Sequence, residues 1–161
     1  VCFGVEPEIW QKAEDNQYVQ ETSLTETEIR MPGGHLTIAQ LIALLNTIPM
    51  EITFVDVDNI NRFFNEGPKD FKRPGMAIDR EVFSCHPPKI ESTVRRIIGE
   101  FRAGALDEVP IWMDKNGKCM LVRYMAVRDK EGKYLGTLEL VQDMGFAKEH
   151  FQPEKRQEEI W

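Results

Sequence analysis

The chain has few cysteines and histidines, which restricts the chemistry open to it. Its 161 residues include three of each, and no two cysteines stand at the close spacing of a metal-binding pair. Structural zinc sites need several nitrogen or sulfur ligands at recognisable spacing, and small secreted domains need cysteines in pairs. We therefore expect no metal site and no disulfide framework. Unpaired cysteines also favour a reducing compartment, so the predicted location is cytoplasmic.

The chain also lacks long apolar runs and an excess of basic residues. Its longest mainly apolar run, around 41–49, is far shorter than the roughly 20 residues that a membrane-spanning helix needs. The formal net charge is −7, with 20 Lys and Arg against 27 Asp and Glu, whereas nucleic-acid binding relies on clustered basic side chains. We expect neither insertion into a membrane nor a nucleic-acid partner.

Common catalytic motifs are absent as well. The chain contains no GxSxG nucleophile elbow, no phosphate-binding loop and no HExxH zinc motif. What it does have is 42% hydrophobic and 29% charged residues, which is typical of a folded domain. We predict one folded domain with flanking segments and no enzymatic activity.

A first helix is predicted to begin near Thr37. Thr37 and Gln40 have the spacing of a capping box, in which the threonine hydroxyl accepts from the backbone amide of residue 40 and the glutamine reaches back. Leu36 and Leu41 occupy the two positions of a hydrophobic staple around the same point. The helix should end before Pro49, since a proline disfavours helical geometry in the residue preceding it.

A second, longer helix is predicted to begin at Pro87-Pro88. Proline is tolerated in the first turn of a helix because its missing N–H would have no partner there. The apolar residues between 94 and 101 recur at i, i+3, i+4 and i+7, which is helical spacing, and Gly104 is a natural C-terminal stop.

The remaining regular segments have the composition of strands. Asp58-Asn59, Asn116-Gly117 and Glu131-Gly132 are tight-turn dipeptides that separate segments rich in strand-forming residues. The element order indicates an α+β domain with helices on one face of an antiparallel sheet, an arrangement that several folds share. The predicted strands are 51–57, 60–65, 108–114, 118–128 and 134–142.

Four stretches of the chain resemble one known family. Together with the element order, they resemble the PAS domain that ends bacterial proteins carrying a hemerythrin-like HHE domain upstream. The resemblance implies a PAS-like five-stranded antiparallel sheet with helices on one face, an upstream partner domain, and a cavity. In other PAS domains that cavity holds haem, flavin or a small metabolite, or stays empty. The stretches are LTIAQLIALLNTIPMEITFVD (36–56), CHPPK (85–89), RYMAVRD (123–129) and YLGTLELVQD (134–143).

The resemblance also divides the chain into three parts. We predict that residues 36–144 form the PAS-like domain. Residues 1–35 are interpreted as a linker or the remnant of a preceding domain, and 145–161 as a charged, partly helical tail.

Cys85 and His86 are the most unusual candidate site residues. They stand beside a predicted helix N-terminus, whose partial positive charge favours a thiolate, so a redox or ligand-sensing role is one hypothesis. In the alternative, His86 caps the helix and Cys85 packs as a small apolar side chain. Haem ligation by His86, or by Cys85 instead, is the disfavoured cofactor hypothesis. Haem-binding PAS domains tend to place their ligating histidine on the long helix, and this helix has no histidine between 90 and 103. The cofactor is otherwise left unassigned.

Further residues are candidates for the lining of a ligand cavity, since binding pockets combine aromatic walls with a few polar groups. The alternative is that the Met and aromatic members form an ordinary core. Arg123 is expected either to bind an anionic ligand or to pair with Glu139 on the next strand. The candidates are Phe63, Met76, Phe101, Trp112, Arg123, Tyr124 and Met125.

Two functions are therefore open. The first is a sensory module for signal transduction that binds a small-molecule ligand in an interior cavity of roughly 300 Å³ or more. The second is a structural module with a filled core, in which the exposed apolar sheet face and the flanking helix join two chains as a homodimer.

Overall fold

The computed structural model describes residues 25–71 and 75–152, except for the side chains of Met76 and Cys85. The predictions made for 1–24 and 153–161 lie outside the described residues. The elements found are β1 (Glu28–Met31), β2 (Gly34–Thr37), α1 (Ile38–Thr47), β3 (Glu51–Asp56), β4 (Asn61–Phe64), α2 (Pro88–Ala103), β5 (Glu108–Lys115), β6 (Lys118–Arg128), β7 (Tyr134–Asp143) and α3 (Gly145–His150), with 3₁₀ turns at Gly75–Ala77 and Val82–Cys85.

Five strands form one antiparallel sheet in the spatial order β4-β3-β7-β6-β5. The first hairpin joins the C-terminal meander through β3 and β7, whose register runs from Glu51 opposite Val141 to Asp56 opposite Gly136. Helix α2 packs across one side of this sheet and buries the predicted apolar residues between 94 and 101. The predicted α+β fold with a five-stranded antiparallel sheet is confirmed. We call the side that contacts α2 the inner face and the opposite side the outer face.

Helix α1 begins with the predicted capping box. The amide of Gln40 donates to Thr37 Oγ1 over 3.1 Å, and the amide of Thr37 donates to Gln40 Oε1 over 3.0 Å. No side chain of α1 is buried, and Ile42 and Leu44 are each 47% exposed. The helix is therefore stabilised at its start by hydrogen bonds and leaves its apolar surface accessible.

A short hairpin precedes α1. Strands β1 and β2 pair from Glu28 opposite Thr37 to Met31 opposite Gly34. The sequence prediction places 28–35 within a linker or a domain remnant, because residues 1–34 mix charged residues, Thr and Ser with scattered aromatics and end in the turn signal Pro32-Gly33-Gly34. In the structure the same turn closes a two-stranded hairpin.

The buried side chain of Asn65 ties the end of α1 to the sheet. Its amide nitrogen donates to the carbonyls of Leu45, at 3.1 Å, and Met50, at 2.8 Å. Its Oδ1 accepts from the backbone amide of Ile52 over 2.8 Å. These bonds satisfy backbone groups at the turn between α1 and β3, where burial without partners would be costly.

Strand β5 lies at the edge of the sheet and contains Pro110. The amide of Ala126 on β6 donates to the carbonyl of Asp107 over 2.9 Å. In an antiparallel pair the backbone groups of alternate residues bond to the neighbouring strand. The backbone groups of residues 109 and 111 therefore point to β6, and those of residue 110 point to the free edge. The missing N–H of Pro110 therefore costs no hydrogen bond within the sheet.

Strand β7 requires glycine at position 136. Gly136 has φ 157°, and a Cβ atom there would collide with the carbonyl oxygen of Val55 and lie 2.7 Å from the ring of Phe54. The sheet therefore depends on a close approach between β3 and β7 that no side chain allows.

Gly136→Ala should lower the free energy of unfolding by about 1–3 kcal/mol, because the added methyl group forces β3 and β7 apart. Gly99→Ala is the matched control, since Gly99 lies within α2 and nothing is within 4 Å of its Cβ position. Alanine favours the helix, so this variant should be about 1 kcal/mol more stable. Denaturant titration measures both. A Gly136→Ala variant as stable as the wild type would contradict the close approach.

Candidate functional site

A small interior cavity lies between the inner face and α2. Its volume is about 20 Å³, which is room for one water molecule. Three sheet strands, α2 and the segment that leads into α2 form its wall. The lining residues are Thr53, Val55, Val82, His86, Val94, Ile97, Ile98, Tyr124, Thr137 and Glu139.

Three polar side chains come to this cavity from the strands. Thr53, Thr137 and Glu139 are 2%, 3% and 4% exposed. Strand register places Thr53 opposite Glu139 and Glu139 opposite Tyr124, so that all of them lie on the inner face. Thr137 Oγ1 is 2.7 Å from the hydroxyl of Tyr134, and one of these two atoms donates to the other. The sequence prediction names none of these three residues as part of a cavity lining, although strand alternation would have placed them on one face.

His86 lines the cavity from the segment just before α2. The side chain is 8% exposed, and Nδ1 is 2.7 Å from the carbonyl oxygen of Val82. A carbonyl only accepts hydrogen bonds, so Nδ1 carries the proton in this contact. The N-cap residue of α2 is Pro87, one position after His86, and its side chain makes no capping bond. The side chain of Cys85 lies outside the described atoms, and its redox role stays a prediction.

Among the cavities that the described residues form, the interior one measures about 20 Å³, well below the 300 Å³ or more predicted for a ligand sensor. Aromatic side chains fill the space instead: Phe71, Phe83 and Phe101 are 2%, 6% and 0% exposed. Phe71 comes from the segment after β4 and packs on the inner face against the cluster of Met120, Val122 and Val141. A cavity of about 20 Å³ has no room for a haem, so the residues present do not fit that cofactor.

Three of the predicted lining residues lie on the outer face. Because side chains alternate along a strand, Tyr124 points to the inner face, whereas Arg123 and Met125 point away from the cavity. Trp112 pairs with Leu121 on the same outer face and is 60% exposed. The sequence prediction chose these residues by type, as aromatic and polar side chains suited to a pocket, and so mixed the two faces.

Arg123 pairs with Glu108 and not with Glu139. The Nε atom of Arg123 donates to Glu108 Oε1 over 2.6 Å. This hydrogen bond raises the pKa of Arg123 and lowers the pKa of Glu108. The register sets Arg123 opposite Leu140, which turns Glu139 to the inner face and out of reach. The predicted Arg123–Glu139 pair is therefore wrong.

Two further candidates, Phe101 and Phe63, are also separate from the cavity. Phe101 is fully buried in a core cluster with Ile97 and Tyr134. Phe63 pairs with Phe54 at the β4 edge and lines an open surface depression. The side chain of Met76 is outside the described atoms. Of the seven candidates whose side chains the structure describes, His86 and Tyr124 line the cavity.

The outer face carries an apolar surface across four strands. Its members alternate with the buried inner-face residues, and apart from Trp112 they are half-buried. We call this surface the outer-face patch; it consists of Phe54, Trp112, Leu121, Met125, Leu138 and Leu140.

Arg128 is a structural residue that sequence analysis did not select. It lies on β6, and its guanidinium donates to the carbonyl oxygens of Phe101, at 2.8 Å, and Leu106, at 3.3 Å, near the end of α2. The Nε atom also donates to Asp107 over 3.0 Å. Arg128 thus ties the last turn of α2 and the loop after it to the sheet, at a helix C-terminus where a positive charge is favourable.

Within the described ranges, the side chains form no cluster of three or more groups able to hold a metal ion. Among the same residues, no helix combines the length and the apolar character that crossing a membrane requires.

Comparisons with known proteins agree with this geometry. A family model of the PAS domain matches residues 41–145. The C-terminal domain of a Streptococcus mutans protein matches with a TM-score of 0.74 and 36% identity, covering 78% of this chain and 98% of that chain. The Vibrio cholerae VqmA dimer structure matches with a TM-score of 0.51 and 20% identity, covering 70% of this chain and 53% of that chain. The chain thus spans about half of VqmA, and this likeness concerns the fold alone. No curated protein sequence matches.

Replacing Arg128 and Arg123 by Met should separate their roles, because each variant keeps the length of the aliphatic stem. Arg128→Met should lower the free energy of unfolding by about 1.5–3 kcal/mol, since three carbonyl and carboxylate contacts lose a charged donor. Arg123→Met should leave stability nearly unchanged, because exposed ion pairs contribute little. Denaturant titration measures the difference. Equal losses in the two variants would contradict the capping role of Arg128.

Proposed function

This chain belongs to the PAS domain family, and from that premise we propose that it is a non-catalytic regulatory module of a larger protein. The function that we propose for it is self-association, in which two copies pack against each other through the outer-face patch. The observation that carries this function is Trp112, a large apolar side chain that is 60% exposed at the edge of an apolar sheet surface.

The composition of the outer-face patch supports an interface. Large contiguous apolar patches on a protein surface are typical of interaction sites, and exposed Trp side chains are enriched among the residues that dominate binding energy. The interior offers less support for a sensor of large ligands, because aromatic side chains fill it and the remaining cavity is about 20 Å³.

The charges on the outer face favour a second copy of this chain as the occupant. Arg123 and Glu108 lie together beside the patch and neutralise each other, although the chain as a whole carries a net charge of −7. A two-fold interface brings the same surface of each copy together and must therefore be self-complementary. A surface that carries one cation and one anion meets this condition, because each Arg123 can also face the Glu108 of the other copy.

The test compares the wild type with Trp112→Glu over a concentration series. The wild type should form a dimer whose population rises with concentration, and Trp112→Glu should remain monomeric because a carboxylate would be buried in the apolar interface. Phe146→Glu is the matched control, since Phe146 is 66% exposed on α3 and outside the patch. Sedimentation velocity measures the distribution. A wild type that stays monomeric at the highest concentration, or a dimer that survives Trp112→Glu, would contradict the proposal.

The polar lining of the cavity favours a second candidate, a sensor for a small ligand. Thr53, His86 and Glu139 bring a hydroxyl, an imidazole and a carboxylate to one interior point. Binding pockets use a few such groups to orient a ligand. A ligand larger than water would have to displace α2 or Phe71. Native mass spectrometry of the purified protein tests this candidate by the added mass of a retained ligand, and an absorption spectrum tests for a coloured cofactor.

We also propose that a hemerythrin-like HHE domain precedes this module in the full-length protein. The four stretches that resemble that branch of the family support the assignment, and CHPPK at 85–89 is among them. The coding sequence upstream of Val1 tests it directly.

A further inference from the structure

One hydroxyl group at the interior cavity has no hydrogen-bond partner among the described residues. Thr53 is 2% exposed, and its Oγ1 is fully buried with no hydrogen-bond partner among the residues that the structure describes. The side chain points to the inner face and lines the cavity. A buried hydroxyl without a partner is costly, so native structures generally supply one from the protein or from ordered water.

The cavity has the size and the polarity that a water molecule requires. A volume of about 20 Å³ is slightly more than one water needs. Buried waters make about three hydrogen bonds, and polar side chains from two strands and from the segment before α2 surround this space. Apolar cavities stay dry, whereas this one has Thr137 and Glu139 in its wall beside Thr53.

We infer that this cavity is a binding site for one water-sized hydrogen-bonding molecule, held by Thr53 Oγ1, and that water occupies it in the resting protein. The bound water links Thr53 on β3 to the polar side chains on the inner face of β7, in addition to the backbone hydrogen bonds between these strands. It does not depend on the association proposed above, because every residue of the site lies on the side of the sheet opposite the outer-face patch. A larger signalling ligand would have to expel this water.

Thr53→Val tests the site because valine has nearly the same shape as threonine and lacks the hydroxyl. In wild-type protein with labelled methyl groups, water-selective nuclear Overhauser spectra should show a long-lived water near the methyls of Val55, Val94 and Ile98. Thr53→Val should abolish these cross-peaks and lower the melting temperature by about 3 °C or more. Thr53→Ser keeps the hydroxyl and should retain the cross-peaks.

Three other results of this experiment would overturn the inference. If Oγ1 faces a dry cavity, Thr53→Val removes an unsatisfied polar atom and should leave the melting temperature unchanged or raise it. That result, or the absence of cross-peaks in the wild type, would overturn the inference. Cross-peaks that persist in Thr53→Val would show that other groups hold the water and would also overturn it. None of these outcomes changes the expected dimerisation, so the two proposals fail separately.

Discussion

The antiparallel pairing of β3 with β7 is the contact on which the rest of the structure depends. These strands are far apart in sequence, and six consecutive residue pairs join them. The pairing turns a hairpin and a meander into one sheet, and α2 can then cover a continuous inner face. It also sets Thr53 beside Glu139 and Val55 beside Thr137, so the polar wall of the cavity arises from the register of one strand pair.

Local sequence signals were sufficient for most of the secondary structure. The capping box at Thr37 and the glycine stop at Gly104 both appear where the patterns indicated, and Gly104 adopts the left-handed conformation with φ 75°. The hairpin of β1 and β2 was missed for a physical reason. All four residues of β1 are exposed, and although they alternate between polar and apolar types, a run of four residues is at the lower limit for recognising a strand.

The cavity was harder to predict because its volume depends on side chains that meet only in the fold. Strand alternation could have separated Tyr124 from Arg123 and Met125, since neighbouring residues on a strand face opposite sides. It could not have shown that Phe71, which lies outside the regular elements, fills the space against Val122 and Val141. This filling leaves an interior cavity of about 20 Å³, whereas the outer-face patch spans four strands.

Pro110 restricts the ways in which copies of this chain can meet. Strand β5 is at one border of the sheet, and an extended strand added there would find no donor at the position of the proline. Growth of the sheet from molecule to molecule is thereby discouraged, and with it the open-ended polymers that unprotected strands promote. In the proposed dimer, by contrast, contact between two sheet faces is closed after two copies, so an apolar outer face there would not lead to fibres.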